Sequence, residues 1–120
     1  MYDVIIIGAG PAGISAGIYA VSRGQKTLIL EKNQVGGLIR RVSAVTHYAA
    51  IVEGETGESF AKRLRKQAEN AGVEILQTEV KKVELTGVEK RIYTEKECYC
   101  AKKVILANGT SPRKLGIPGE

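Results

Sequence analysis

Three glycines, Gly8, Gly10 and Gly13, form a G-x-G-x-x-G pattern between an apolar run at residues 4–7 and a helix-like pattern. In this context the pattern is typical of a turn that binds the pyrophosphate of a dinucleotide. Gly8 would make the tight turn, Gly10 would let a phosphate approach the backbone, and Gly13 would let the helix pack close to the strand. The helix would offer unpaired N–H groups and its positive dipole end to the phosphates.

An acidic residue, Glu31, follows the second predicted strand, residues 26–30. Its distance along the chain from the glycines is close to the spacing of roughly 20 residues expected for a ribose-binding acid. A carboxylate there accepts hydrogen bonds from the adenosine ribose and repels a 2′-phosphate, which favours FAD or NAD over NADP. The alternative is a solvated glutamate at a strand end.

Composition limits the chain to one domain and excludes several classes of function. The 120 residues are 43% hydrophobic, which is ordinary for a globular protein that buries a core. The net charge is +5, but aromatic residues make up only 5% and do not alternate with basic runs, so nucleic-acid binding has little support. Met1 stands directly before the first strand, and no apolar run is long enough to span a membrane. We expect a cytoplasmic protein with no membrane association.

The two cysteines, Cys98 and Cys100, are spaced as C-x-C in a strand-like stretch. They are neither a C-x-x-C redox pair nor part of a recognisable metal-ligand set. We therefore expect them to be reduced, partly buried thiols, with no metal site and no catalytic residue in this chain.

The elements needed to position the glycines and the acid follow from periodicity and turn residues. A β-α-β-α-β order is followed by three short alternating strands and a last apolar strand. The predicted ranges are strands at 2–7, 26–30 and 73–77, helices at 11–22 and 58–71, a meander at 79–85, 89–94 and 97–101, and a strand at 103–107. Residues 33–57 are predicted to be irregular, and Gly24 is predicted to cap the first helix.

With this architecture the chain resembles, over essentially its whole length, the FAD domain of low-molecular-weight thioredoxin reductases and related flavin disulfide reductases. The segment GAGPAG at residues 8–13 resembles the FAD fingerprint of that family, and Gly36-Gly37-Leu38 resembles its GGQ segment. Residues 45–57, VTHYAAIVEGETG, resemble VENYPGFPEGISG. Residues 107–120, ANGTSPRKLGIPGE, resemble the family's ATG…PR.L.IPGE hinge, which is the most discriminating match.

The resemblance implies an α/β fold, with a Rossmann-like parallel sheet and a three-stranded antiparallel meander in a three-layer ββα sandwich. It implies that the pyrophosphate contacts Gly10, Pro11 and Ala12, that the ribose contacts Glu31, and that adenine contacts the backbone of Val80. The full set of implied FAD contacts is Gly8, Gly10, Pro11, Ala12, Gly13, Glu31, Lys32, Gly36, Gly37, Leu38, His47, Val80, Ala107, Asn108 and Gly109. Lys32 is equally well explained as a solvated lysine, and Val80 and Ala107 as strand core residues.

The departures from the family lie where the isoalloxazine would sit. Leu38 replaces a glutamine, His47 an asparagine, Ala49-Ala50 a Pro-Gly pair, and Asn108 the threonine of ATG. His47, the only histidine, would tune or protonate the flavin or would be an ordinary hydrogen-bonding residue.

The family's NADPH domain, its C-x-x-C and its returning C-terminal segment have no counterpart in these residues. We therefore expect the FAD-binding portion of a reductase that passes electrons to a disulfide, inactive by itself. In the complete enzyme NADPH would be the donor, a thioredoxin-like protein the partner, and a homodimer the assembly. The alternatives are the FAD module of a ferredoxin-dependent or ferredoxin–NADP reductase, and a nucleotide-binding module without catalysis.

Overall fold

The computed structural model describes residues 1–41, 44–45 and 51–108. Two α-helices, one 3₁₀ helix and six strands occupy this part of the chain. In order they are β1 (Tyr2–Ile7), α1 (Pro11–Ser22), β2 (Thr27–Glu31), the 3₁₀ helix (Gly37–Arg41), α2 (Gly57–Ala71), β3 (Glu74–Gln77), β4 (Val80–Glu84), β5 (Lys90–Thr94) and β6 (Cys98–Leu106).

The six strands form one mixed sheet in the order β3-β2-β1-β6-β5-β4. Strands β3, β2, β1 and β6 are parallel, and β6, β5 and β4 are antiparallel. The α/β fold with a parallel sheet and an antiparallel meander, predicted from the sequence, is confirmed.

Strand β6 belongs to both parts of the sheet, which corrects two predicted strands. Residues 97–101 and 103–107 were expected to form separate strands, but Cys98–Leu106 is continuous. Its first part pairs with β5 as far as Ala101, and Ala101 begins its pairing with β1. Because the strand changes partner at one residue, no turn is needed there, and the exposed pair Lys102 and Lys103 is strand rather than loop.

The core lies on both faces of the parallel strands. On one face, Val4, Ile6 and Ile29 pack with Ile14 of α1 and Ala68 of α2. On the other face lies a second cluster, formed by Ile5, Leu28, Leu30, Ile92 and Ala101. The alternation along β1 is the period-2 pattern of a strand buried on both faces. The meander therefore covers the face opposite the helices, as the three-layer arrangement requires.

The two α-helices differ at their first turns. Helix α2 begins with a capping box, in which Thr56 and Ser59 each bind the other's backbone N–H, and it ends at Gly72 with φ +87°. The N-cap residue of helix α1 is Gly10, and no side chain caps this helix. Its C-cap residue is Arg23, and Gly24 follows with φ +79°. The C-cap predicted from the sequence, Gly24, therefore lies one residue beyond the observed one.

Candidate functional site

The turn after β1, here called the first glycine turn (residues 8–13), is tightly packed at both ends. Gly8 has φ +109°, and a Cβ there would overlap the carbonyl oxygen of Ala107. A Cβ at Gly13 would overlap the carbonyl oxygen of Gly8. The N–H of Gly8 donates to the carbonyl of Leu30 at 2.9 Å. The fold itself therefore requires glycine at positions 8 and 13.

Gly10, in the middle of this turn, is not required by the fold. Its φ of −75° and ψ of −173° are extended backbone that any residue adopts. A Cβ there would have the carbonyl oxygen of Gly36 as its nearest neighbour, at 3.7 Å. This distance is an ordinary van der Waals contact, so packing within the chain does not explain why residue 10 is a glycine.

The first turn of α1, next to Gly10, is arranged to face an anion. Pro11 begins the helix, no side chain caps it, and its first turn contains no acidic residue. The first N–H groups of a helix need acceptors, and its positive dipole end favours negative charge. In α2, by contrast, Thr56 supplies the acceptor and Glu58 the acidic residue. Helix α1 has the features of a helix whose cap is a bound phosphate.

The carboxylate of Glu31 lies beside the first glycine turn. Its Oε1 accepts the N–H of Ala9 at 2.8 Å, and its Oε2 accepts the N–H of Asn33 at 2.9 Å. An ionised carboxylate has about four acceptor positions, so each oxygen can still accept a hydroxyl hydrogen. Glu31 is half-buried and therefore partly open to a ligand.

Glu31 forms part of a pocket of about 360 Å³ at the carboxyl ends of β1 and β2. Ligands of open α/β sheets bind at this edge of the strands. The lining residues are Ile7, Gly8, Leu30, Glu31, Lys32, Thr78, Glu79, Val80 and Asn108. Five of them, Gly8, Glu31, Lys32, Val80 and Asn108, were predicted as site residues.

Sequence analysis missed the other four lining residues: Ile7 and Leu30, at the ends of β1 and β2, and Thr78 and Glu79, just before β4. The N–H of Thr78 donates to the carbonyl of Glu31 at 2.9 Å, which fixes the start of β4 beside the end of β2. The available signal for Thr78 and Glu79 was their place in the chain, since they directly precede Val80. Val80 itself lines the pocket and also packs against the core cluster on the meander side.

The charges around the pocket favour ionised side chains. A hydrogen bond and the charge of Lys81 lower the pKa of Glu79, and the charge of Lys32 lowers it further. The ammonium and carboxylate groups of Lys81 and Glu79 are 2.7 Å apart. The pocket lining thus contains an acidic side chain, Glu79, and a basic one, Lys32, in addition to Glu31.

A second glycine turn, Gly36 and Gly37, faces the first. The N–H of Gly36 donates to the carbonyl of Ala9 at 2.7 Å. Both glycines have positive φ, +114° and +61°, and a Cβ at Gly37 would lie 3.6 Å from the Cα of Gly10. These contacts place the backbone of the first glycine turn on one side of the space at Gly10 and the backbone of the second glycine turn on the other side.

Of the remaining predicted site residues, Ala12 lies in the first turn of α1, and the others differ in how far the structure describes them. Ala107 lies beside the first glycine turn, with its N–H donating to the carbonyl of Ile7 at 2.8 Å. The backbone of Leu38 belongs to the 3₁₀ helix, but its side chain is not among the described parts of the structure. His47 and Gly109, together with the departure at residues 49–50, lie outside the described residues.

Metal ligands, membrane-spanning helices and thiols are the other features of the described part of the chain that could indicate a function. Within residues 1–41, 44–45 and 51–108, no three histidine, cysteine or acidic side chains are grouped to hold a metal ion. No helix in those ranges has the length and apolarity to cross a membrane. Cys98 is exposed and Cys100 half-buried, and both are free thiols.

Comparison with known proteins identifies the family. The sequence profile of the pyridine nucleotide-disulphide oxidoreductases matches residues 2–120. The chain belongs to this family. Its resemblance to thioredoxin reductases is also confirmed: it is 42% identical over its whole length to a thioredoxin reductase of Peptoclostridium acidaminophilum, and it covers 38% of that protein.

Solved structures of the family agree with this assignment. The thioredoxin reductase of Lactococcus lactis in its FR conformation matches with a TM-score of 0.91 at 37% identity, over 100% of this chain and 39% of that one. A ferredoxin-flavin thioredoxin reductase from Clostridium acetobutylicum matches with a TM-score of 0.86 at 26% identity, over 94% of this chain and 39% of that one. The chain thus spans about two fifths of the length of these relatives, all of which are oxidoreductases by name.

Proposed function

We propose that this chain is one FAD-binding domain, the FAD-binding portion of a thioredoxin-reductase-like flavoprotein. The observation that carries the proposal is Gly10. The fold explains the glycines at positions 8 and 13, whereas packing within the chain does not require one at position 10, which supports a bound ligand as the reason for Gly10. Gly10 adjoins the uncapped start of α1, which suits a pyrophosphate.

The two ends of FAD are assigned to the two sides of Gly10. The adenosine half would lie in the pocket, with its ribose on Glu31, its adenine on the backbone of Val80, and Lys32 nearby. The pyrophosphate would lie at Gly10, Pro11 and Ala12. The flavin half would pass between the second glycine turn and the chain leaving β6, beside Gly36, Gly37 and Ala107. Asn108, which lines the pocket, would contact FAD between its two halves. Leu38, His47 and Gly109 are proposed as further flavin contacts.

The bound flavin would supply two-electron chemistry, and the chain's own residues would bind and orient it. In the complete enzyme we propose NADPH as the donor and a disulfide of a thioredoxin-like protein as the acceptor. The names of the similar proteins support a thioredoxin-like acceptor, and their greater length supports the rest of the reductase as the partner of this domain. We also propose a homodimer, and a cytoplasmic location, where the free thiols Cys98 and Cys100 would persist.

A second candidate differs in the electron donor. The likeness to a ferredoxin-flavin thioredoxin reductase favours the possibility that reduced ferredoxin, rather than NADPH, supplies the electrons. The domain described here would bind FAD in the same way in either enzyme. The donor would be decided by sequence outside this domain.

Ligand titration followed by reduction tests the proposal. The protein is titrated with FAD, FMN and NADP by isothermal calorimetry, and we expect FAD to bind most tightly because only FAD joins an unphosphorylated adenosine to a flavin. The complete reductase carrying FAD is then mixed with NADPH or with reduced ferredoxin, and bleaching of the flavin absorbance identifies the donor. Binding of no flavin would leave the non-catalytic nucleotide-binding module as the better interpretation.

A further inference from the structure

Arg40, in the 3₁₀ helix, spans the second glycine turn and connects it to α2. Its Nη1 donates to the carbonyl of Val35 at 3.3 Å, and its Nη2 lies 3.7 Å from Oε1 of Glu58. Its aliphatic stem lies against the turn, because a Cβ built on Gly36 would be 2.8 Å from the Cγ of Arg40. One side chain therefore contacts the residue before the turn, the turn itself and the first turn of α2.

The turn that Arg40 spans has little freedom on its other sides. Gly36 donates its N–H to Ala9, and the position of a Cβ on Gly36 lies 2.5 Å from the Cβ of Ala61 in α2. Gly36 thus lies between the first glycine turn and α2, and the side chain of Arg40 packs against Gly36 from a third side. The separation of Gly37 from Gly10 depends on these three contacts.

We propose that Arg40 is a positioning residue that sets the gap between Gly37 and Gly10, and through it the affinity for the flavin half of FAD. The inference rests on the proposed FAD binding. Arg40 acts on the second glycine turn, which lies on the flavin side of Gly10, whereas the adenosine pocket is formed by β1, β2 and the start of β4. Loss of the Arg40 contacts should therefore reduce FAD affinity and leave the affinity for adenosine, which has neither the pyrophosphate nor the flavin, nearly unchanged.

The contacts of Arg40 are unequal in strength. The Glu58 side chain is 61% exposed, and ion pairs with such exposed partners contribute little. The Arg40 side chain is 28% exposed, and its bond to the Val35 carbonyl satisfies a group beside the buried Val35. A planar guanidinium reaches the carbonyl and the carboxylate together, which a lysine ammonium on its flexible stem does less well. The support that Arg40 gives to the second glycine turn thus comes mainly from its hydrogen bond to the Val35 carbonyl and from the packing of its aliphatic stem.

The test compares FAD and adenosine affinities by isothermal calorimetry in the wild-type protein and in Arg40→Met, Arg40→Lys, Glu58→Gln and Arg41→Met. Methionine keeps an unbranched stem over Gly36 and removes the donors, so Arg40→Met should bind FAD about tenfold more weakly, the loss of one hydrogen bond from a charged donor. Its adenosine affinity should change by less than about twofold. Arg40→Lys should lie between wild type and Arg40→Met, and Glu58→Gln and the neighbouring exposed Arg41→Met should match wild type.

Each outcome decides the inference. Unchanged FAD affinity in Arg40→Met, or equal losses of FAD and adenosine affinity, would overturn it, because the second result is that of a general structural role. If circular dichroism shows that Arg40→Met does not fold, the same comparison in Arg40→Lys decides. A wild-type protein that binds neither ligand would instead contradict the proposed function, so the two failures are distinguishable.

Discussion

The backbone N–H of Ala9 donates a 2.8 Å hydrogen bond to Oε1 of Glu31. This bond joins the first glycine turn to the end of β2, so the proposed pyrophosphate and ribose sites form one unit. Glu31 also accepts the N–H of Asn33 at 2.9 Å. Its carboxylate therefore shapes the local backbone in addition to its proposed contact with a ligand, and the two roles must be separated in any substitution.

Replacing Glu31 by alanine should weaken FAD binding by about 1–3 kcal/mol, the range for a charged hydrogen-bond acceptor. Glu31→Gln keeps one oxygen for Ala9 and replaces the other with an amide donor, so it should lose ribose contacts while retaining more of the local backbone structure. Isothermal calorimetry gives the affinities and thermal unfolding gives the stabilities. Glu69→Ala, outside the pocket lining, is the matched control. Wild-type affinity in Glu31→Ala would remove Glu31 from the site.

Gly10→Val should abolish FAD binding in a protein that still folds. The backbone of Gly10 is extended and the nearest atom to its Cβ position is 3.7 Å away, so the side chain would occupy ligand space rather than protein space. Far-ultraviolet circular dichroism and flavin absorbance after purification measure the two effects. A Gly10→Val protein that purifies yellow would contradict the assignment of the first glycine turn.

Gly8→Ala is the contrasting variant for the same turn. Alanine there would have φ +109° and would overlap the Ala107 carbonyl, so it should destabilise the fold by at least the roughly 1–3 kcal/mol that such backbone strain costs. Denaturant titration measures this loss. If Gly8→Ala is as stable as wild type, the close approach of Ala107 to the first glycine turn is wrong.

The sequence predicted those parts of the site that depend on local pattern. The glycine spacing, the strand before it and the position of Glu31 are all signals within about 30 residues, and β1, α1 and β2 lie within two residues of their predicted ranges. Thr78 and Glu79 were missed because they reach the pocket through the parallel pairing of β2 with β3, a contact between distant segments. The continuity of β6 was missed for a related reason, since only the positions of β1 and β5 decide where one strand changes partner.

Arg40 shows a further limit of sequence reasoning. In the printed sequence it is one of two adjacent arginines, and nothing local distinguishes it from Arg41. Its contact with Glu58 and the Val35 carbonyl depends on the packing of the 3₁₀ helix against α2. Long side chains that bridge two elements become visible only when both elements are placed.

Stability should fall at alkaline pH because of Tyr2. Burial and the hydrogen bond to Glu74 raise the pKa of Tyr2 from 10.0 to about 12, and its hydroxyl lies 2.8 Å from Oε1 of Glu74. The unfolded chain loses this proton at the lower pH, so the stabilisation is complete below pH 10 and is lost as pH rises towards 12. Urea titrations across this range measure the loss. Tyr2→Phe should be less stable at neutral pH and should show a flatter alkaline slope, and an unaltered slope would contradict the assignment.

A buried acid, Glu55, should contribute to loss of stability at acid pH. A 2.5 Å hydrogen bond from Ser59 and the ion pair with Arg63 lower the pKa of Glu55, whose side chain is 2% exposed. A lowered pKa in the folded state gives stability that is present above the unfolded value and is lost as pH falls. Arg63→Met should therefore move acid unfolding to higher pH, measured by circular dichroism. Lys62→Met, on the exposed side of α2, is the control, and an equal shift in both would show that overall charge is responsible.

The last prediction concerns residues 1–120 produced alone. Leu106 is 59% and Ile105 39% exposed at the end of β6, and within the described residues Lys102–Leu106 pairs with β1 on one side only. Apolar surface at an unpaired strand edge favours association with another chain. We therefore expect this polypeptide to bind FAD weakly, to self-associate or pair with a second chain, and to lack NADPH-dependent disulfide reduction.

Mass in solution by light scattering, FAD titration and an assay with NADPH and thioredoxin measure these properties. Leu106→Lys should shift the mass towards the monomer by placing a charge on the exposed edge. A monomer that holds FAD tightly and turns over NADPH would show that the flavin site needs nothing beyond this domain.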